Sequence, residues 1–143
     1  MSDLLLNIML VDDDDIDIMT LQRAFKRNNI QNPLSIAHNG IEALDLLRGS
    51  NGADKVVPSP RIILLDINMP QMNGLEFLRE LRNDQDHKSA SVFVLTTSND
   101  DKDRMEAYNL NVAGYIIKPV TFENFVVAVA QLNGFWKICA YPQ

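Results

Sequence analysis

Apolar and polar positions alternate along this chain in blocks rather than singly. Four runs stand out: Ile8-Met9-Leu10-Val11, Ile62-Ile63-Leu64-Leu65, Val92-Phe93-Val94-Leu95 and Tyr115-Ile116-Ile117. Continuous apolar runs of about four to eight residues, set between segments of helical period, predict strands buried on both faces of a parallel sheet. The strands are expected over 7–11, 62–66, 92–97 and 114–117, with a shorter one over 33–38. Between them lie helical patterns. Residues 15–29 place Ile18, Leu21 and Phe25 on one face, and Asn39-Gly40 turns the chain into a helix over 41–48. Leu75, Leu78 and Leu81 repeat at helical spacing within 75–83. Further helices are predicted near 101–109 and over 122–136, the last opening at Thr121 with Asn124 in the manner of an N-cap. Residues 49–61 carry Gly, Ser and Pro without periodicity and predict a long loop. Five successive β-α units imply an α/β, doubly wound sandwich.

Composition narrows the class. With 143 residues, 46% of them apolar, the chain is expected to form one domain over 1–143, with its core over about 6–136 and a short tail. One helix and that tail follow Lys118, so no output domain is expected. Net charge is −6 and the 13 Lys and Arg are scattered, which argues against nucleic-acid binding. The single cysteine, Cys139, excludes an internal disulfide framework and points to a reducing compartment. The N-terminus lacks a basic segment and its apolar run breaks at Asn7, so neither a signal peptide nor a membrane anchor is expected. A cytoplasmic protein without membrane association follows.

The chemistry sits where the apolar runs end. Asp12-Asp13, Asp66, Thr96 and Lys118 each follow a predicted strand. Open α/β sheets bind ligands beyond the carboxyl ends of their strands. Carboxylates, a hydroxyl and an ammonium meeting there suit a divalent cation and a phosphoryl group. Each piece alone has a plainer explanation. The run Asp12 to Asp15 resembles a solvated helix N-terminus, and Asp14 and Asp15 are assigned that capping and first-turn role. Asp66 alone would cap a turn, and Tyr115 alone would be a core-edge aromatic. The joint occurrence, in order and at strand ends, favours the site. His38 and His87 fall outside it and are assigned surface or structural roles, the methionines are expected to fill the core, and no P-loop motif is present. The last helix has one core face (Phe122, Phe125, Val126, Val129, Leu132, Trp136). Val127, Ala128 and Ala130 add apolar surface elsewhere, as filler or as part of a dimer interface.

These motifs resemble the receiver domain of two-component response regulators. The resemblance rests on Asp12-Asp13, on the stretch Leu65-Asp66-Ile67-Asn68-Met69-Pro70-Gln71-Met72-Asn73-Gly74, on Thr96, and on Gly114-Tyr115-Ile116-Ile117-Lys118-Pro119. It implies a flavodoxin-like sheet of order 2-1-3-4-5. Asp17, the loop 49–61, Leu95-Thr96-Thr97-Ser98 and the tail Phe135-Trp136…Tyr141-Pro142 resemble the cyanobacterial phytochrome response regulators. The resemblance implies that Asp66 is the phosphoacceptor, a carboxylate nucleophile that forms an acyl phosphate. It implies Mg2+ held by Asp13, Asp66 and the backbone carbonyl of Asn68, with Asp12 acting mainly through a bound water. Lys118, aimed inward by a cis bond to Pro119, and Thr96 would each take a phosphoryl oxygen. Thr96 and Tyr115 would form a two-state switch.

The chain departs from the family pattern in places. Asn73 stands where Asp is frequent, and either residue caps a helix. Thr97 is bulkier than the usual small residue and would narrow access to the site. Asn68 and Ser98, neither of them a carboxylate, occupy the positions that tune attack of water on the acyl phosphate. A phosphoryl lifetime set mostly by the bond's own lability is expected.

Three function classes compete. The first is a phosphorylatable switch in a phosphorelay, self-catalysing its phosphorylation and dephosphorylation but not an enzyme of metabolism. The second is an aspartate-nucleophile phosphatase, disfavoured because Asn68 stands where such enzymes need an acid–base carboxylate. The third is a module working without phosphorylation, disfavoured by retention of Asp13, Asp66, Thr96 and Lys118. On the first, the resemblance implies a sensor histidine kinase, of phytochrome type, contacting Ile16, Asp17, Thr20 and Val120. It also implies an output face on the last helices and fifth strand, where some stand-alone members form homodimers and others do not.

Overall fold

The computed structural model describes residues 5–141. Positions 1–4, where the leader expectation began, and Pro142 of the tail motif lie outside them. Strand and helix alternate as β1 (Ile8–Val11), α1 (Asp15–Arg27), β2 (Leu34–Ala37), α2 (Gly40–Arg48), β3 (Ile62–Leu65), α3 (Gly74–Arg82), β4 (Ser91–Thr96), α4 (Asp101–Asn109), β5 (Gly114–Ile117) and α5 (Phe122–Ile138). The five strands form one parallel sheet in the order β2-β1-β3-β4-β5. This is the flavodoxin-like arrangement.

The apolar runs are continuous because both faces of the sheet are covered. Met9, Val11, Ile63, Leu65, Val92 and Val94 point to one side, where Leu44, Leu47, Phe77, Leu78, Leu81 and Ala107 of α2, α3 and α4 close over them. Ile8, Leu10, Ile62, Leu64, Phe93 and Leu95 point to the other, against Leu21 and Phe25 of α1 and Phe125, Val129, Leu132 and Trp136 of α5. The edge strands β2 and β5 are less buried, in keeping with their position.

Local chemistry sets the helix starts. Asp14 caps α1 by accepting from the Ile16 and Asp17 N–H groups, Asn39 caps α2, and Thr121 caps α5 by accepting from Asn124 N–H. Asn73 and Glu76 form a reciprocal capping box at α3. Three expectations need correction. Helix α1 ends at Arg27 rather than 29, because Asn29 turns into the left-handed region at φ 55°. Met9 and Met69 are core residues, but Met19 and Met105 are exposed. Among the described residues the cis peptide bond is Val57–Pro58, so Lys118–Pro119 is trans. The inward aim of Lys118 comes instead from the sheet, whose ladder continues through its N–H to Thr96 O at 2.8 Å.

Both histidines are structural or superficial. His38 pairs with Glu42 at the surface, while buried His87 meets Asp84 at 3.2 Å. Arg82 ties α3 to two loops, donating to the carbonyls of Lys88, Ala90, Leu110 and Asn111.

Candidate functional site

The sheet order reverses between β1 and β3, since the chain runs outward to β2 and then returns to the other side of β1. Open α/β sheets carry their ligand site at such a reversal. Each site residue is the first after its strand, or the last in it, and the ladder fixes its backbone. Asp12 N–H donates to Ala37 O at 3.0 Å, and Asp66 N–H to Val11 O at 2.9 Å. Lys118 is held on Thr96 O as described. Four strands therefore deliver Asp12, Asp66, Thr96 and Lys118 to one end of the sheet.

The carboxylates of Asp12, Asp13 and Asp66 each offer an oxygen, and these oxygens lie within 4.8 Å of one another. Asp12 and Asp66 are buried and Asp13 is exposed, so the cluster is open on one side. An all-oxygen donor set with one solvent-facing member fits a hard divalent cation that keeps some of its waters. Asn68 N–H reaches Asp66 Oδ1 at 3.4 Å, and its side chain faces solvent.

Lys118 joins these carboxylates with only 11% of its side chain exposed. Its Nζ donates to Asp17 Oδ2 at 2.8 Å and Asp12 Oδ2 at 3.0 Å, and stands 3.8 Å from Asp66 Oδ2. Burial alone would lower the lysine's pKa. The Asp17 hydrogen bond and the charges of Asp12 and Asp66 together outweigh that and hold it above its ordinary value. Asp12 feels the reverse: burial pushes its carboxyl up to about 6, against the Asp14 N–H and Lys118, and the nearby Asp66 charge adds to the rise.

Thr96 is fully buried, and its Oγ1 accepts from Ser98 N–H at 3.2 Å, leaving its own hydrogen to be donated. Tyr115 hydroxyl donates to Ser98 O at 3.1 Å, its ring packs on the α2–α4 side of the core, and Arg104 lies over it at 5.5 Å. Burial holds its phenol above the usual value. Ser98 is fixed in turn by Asp103 at 2.9 Å. Thr97 is exposed and lines a groove of about 520 Å³ with Asp17, Thr20, Arg23, Lys118 and Val120.

The structure thus brings Asp12, Asp13, Asp66 and Lys118 together and places Thr96 at the same end of the sheet, with Tyr115 joined to Thr96 through Ser98. Asp17 was expected only as a partner contact, and its bond to Lys118 is new. A signal existed: side chains in a first helical turn lean back toward the helix N-terminus, here toward the strand ends.

The fold and this constellation define a class, the phosphorelay receiver. The model of the response regulator receiver domain matches residues 8–130, and the chain belongs to that family. FilR2 of Methanothrix harundinacea, a probable methanogenesis regulatory protein, is 34% identical over 129 residues, covering 90% of this chain and 82% of FilR2. The response regulator Rcp1 of Synechocystis is 33% identical, covering 90% of this chain and 87% of its own. The crystal structure of Rcp1 in its Mn2+-bound form superposes with a TM-score of 0.86 at 31% identity, over 96% of this chain and 99% of that one. The phosphorylated cyanobacterial phytochrome response regulator RcpA gives a TM-score of 0.89 at 30% identity, over 98% of this chain and 100% of that one. The chain is a response regulator receiver of two-component signal transduction. Among the described residues no helix is long and apolar enough to cross a membrane.

Proposed function

We propose that this receiver takes a phosphoryl group from a sensor histidine kinase onto Asp66, with Mg2+ as its cation, and passes the signal on by changing protein contacts. The observation that carries this reading is the meeting of three carboxylates with one buried ammonium 3.8 Å from the Asp66 oxygen. An Asp66 oxygen attacks the phosphorus, the bond from phosphorus to the donor's leaving group breaks, and that group departs with the electron pair. Asp12, Asp13, Asp66 and the Asn68 carbonyl would hold the metal. Bound there, a divalent cation offsets the charge of the carboxylates and of the incoming phosphoryl oxygens. Lys118 and Thr96 supply an N–H and an O–H to the other phosphoryl oxygens. Thr96 then draws on the Ser98 loop that holds the Tyr115 hydroxyl, which makes these two residues the switch.

The proposed kinase contact is the groove beside Lys118, lined by Asp17, Thr20 and Val120, together with the exposed Ile16 that precedes Asp17. Kinship with phytochrome-linked regulators supports a light-responsive kinase. The proposed self-contact is the edge of β5 with α5, where Phe93, Gly114, Ile116, Ala128, Leu132 and Phe135 line an apolar groove of about 340 Å³. The chain turns over no metabolite on this reading, and acts in the cytoplasm as a single receiver domain over 1–143.

Intact-mass spectrometry after incubation with acetyl phosphate tests the centre of the proposal. A Mg2+-dependent gain of one phosphoryl group, absent in Asp66→Asn, is expected. No gain from either acetyl phosphate or a histidine kinase, with the fold intact, would overturn it.

A further inference from the structure

The Lys118 ammonium is shared unequally. Its shortest contact, 2.8 Å, is to Asp17, which is not one of the three clustered carboxylates. Asp12 follows at 3.0 Å, and Asp66 at 3.8 Å lies beyond hydrogen-bond distance. Asp17 has no other side-chain partner among the described residues, and its carboxylate stands at the rim of the groove, 36% exposed, over a lysine that is almost covered. The geometry is that of a tether. Of the ammonium's three hydrogens, two are engaged away from Asp66.

We infer that Asp17 is a positioning residue: it holds the Lys118 ammonium off the Asp66 carboxylate in the unphosphorylated chain, keeping Asp66 open to the cation and to the incoming phosphorus. This rests on the assignment of Asp66 as phosphoacceptor. Without the tether, one charged anchor of Lys118 is gone. The attraction of Asp66 then closes the remaining gap into a direct hydrogen-bonded ion pair. A paired Asp66 is a poorer metal ligand, because the lysine must be displaced before the cation binds.

A plainer role exists for Asp17, since a carboxylate in the first turn of α1 also favours the helix N-terminus. That role alone alters stability, not metal affinity through Lys118. A simple loss of negative field near the cluster would lower metal affinity whether or not Lys118 is there. A double-mutant cycle separates these cases.

Mg2+ titrations of the full unphosphorylated chain, followed by amide NMR shifts, are made on the native protein, Asp17→Asn, Lys118→Met and the double variant. Asp17→Glu serves as charge-retaining rescue and Asp15→Asn as a surface control. In the native background Asp17→Asn is expected to weaken Mg2+ binding about fivefold, a change in the range of coupling between contacting charges. In the Lys118→Met background the same substitution should change it less than about twofold, Asp17→Glu should restore most of the affinity, and Asp15→Asn should leave it alone. The Lys118 ammonium signal should shift in Asp17→Asn. Equal weakening in both backgrounds, or none in either, overturns the tether, as does a native chain that binds no Mg2+. Because the titration needs no phosphoryl transfer, failure of the phosphoacceptor reading would show separately, as a native chain that binds Mg2+ but gains no mass with acetyl phosphate.

Discussion

Three carboxylates offer oxygens inside 4.8 Å of one another, and Asp12, only 2% exposed, is bonded to the Lys118 ammonium as well. Burial lifts its carboxyl to about 6 from an ordinary value of 3.8. A raised folded value means that the folded chain binds the extra proton between those two limits. Stability owed to Asp12 therefore falls as pH climbs from about 4 to about 6, and is level above that. Asp84 runs the other way. Burial would raise it, but bonds from Arg48, the Asp86 N–H and His87 hold it low, so its contribution is lost as pH falls through its folded value. A melting curve of the native chain mixes the two signs. The difference between native and Asp12→Asn isolates one. In metal-free urea denaturation, the variant should gain on the native chain from pH 4 to pH 6 and keep a constant lead above. A lead that shrinks over that interval would contradict the assignment. Added Mg2+ should raise the native midpoint by mass action, more at pH 7 than at pH 5, because a protonated Asp12 no longer serves the cation.

Helix α3 begins hard against the loop that carries Asp66, and Gly74 makes that possible. A Cβ there would fall 2.7 Å from the Ile67 Cα and closer still to the Asp66 carbonyl oxygen, both backbone atoms that cannot swing aside. Gly74→Ala should cost about 1–3 kcal/mol in urea denaturation. By pushing the Asp66 loop away from β1, it should slow acetyl phosphate labelling by about ten- to hundredfold. Gly134, inside α5 with open space around it, is the control. Gly134→Ala should gain up to about 1 kcal/mol and label at the native rate. Elements of this kind were readable from the sequence wherever their cause is local. Asp14, Asn39 and Thr121 cap the helices they precede, and the strands announce themselves through unbroken apolar runs. What was not readable depends on distant groups. The sequence separation of 101 from Asp17 to Lys118 leaves no trace in spacing, and the peptide form at Lys118–Pro119 followed the family pattern when the β4–β5 ladder already aimed the lysine.

Placing the site at the reversal of the sheet divides the molecule into functions. The carboxyl ends of the strands hold the candidate site, α2, α3 and α4 cover one face, and α1 and α5 the other. The sequence conveyed this division, because a cation and a phosphoryl group demand residue types that stand out at strand ends. It conveyed the output side only in part: α5 is apolar on more than one face, which small-residue filler explains slightly better than an interface. The structure sharpens that choice. Val127 and Ile138 of α5 are exposed and stand about three helical turns apart, so they share a face. Phe135, 47% exposed, packs edge-on against Phe93 and leads from them to the open edge of β5. Burying such a surface against a second copy would remove apolar area from water on both sides at once. The native chain is therefore expected to show a mass rising from monomer toward dimer across a micromolar concentration series in sedimentation equilibrium. The Val127→Asp, Ile138→Asp double variant places charge on that face without touching the core, and should stay monomeric while labelling with acetyl phosphate at the native rate. A native chain that is monomeric throughout, phosphorylated or not, would leave the apolar surplus of α5 as filler and move the output contact elsewhere.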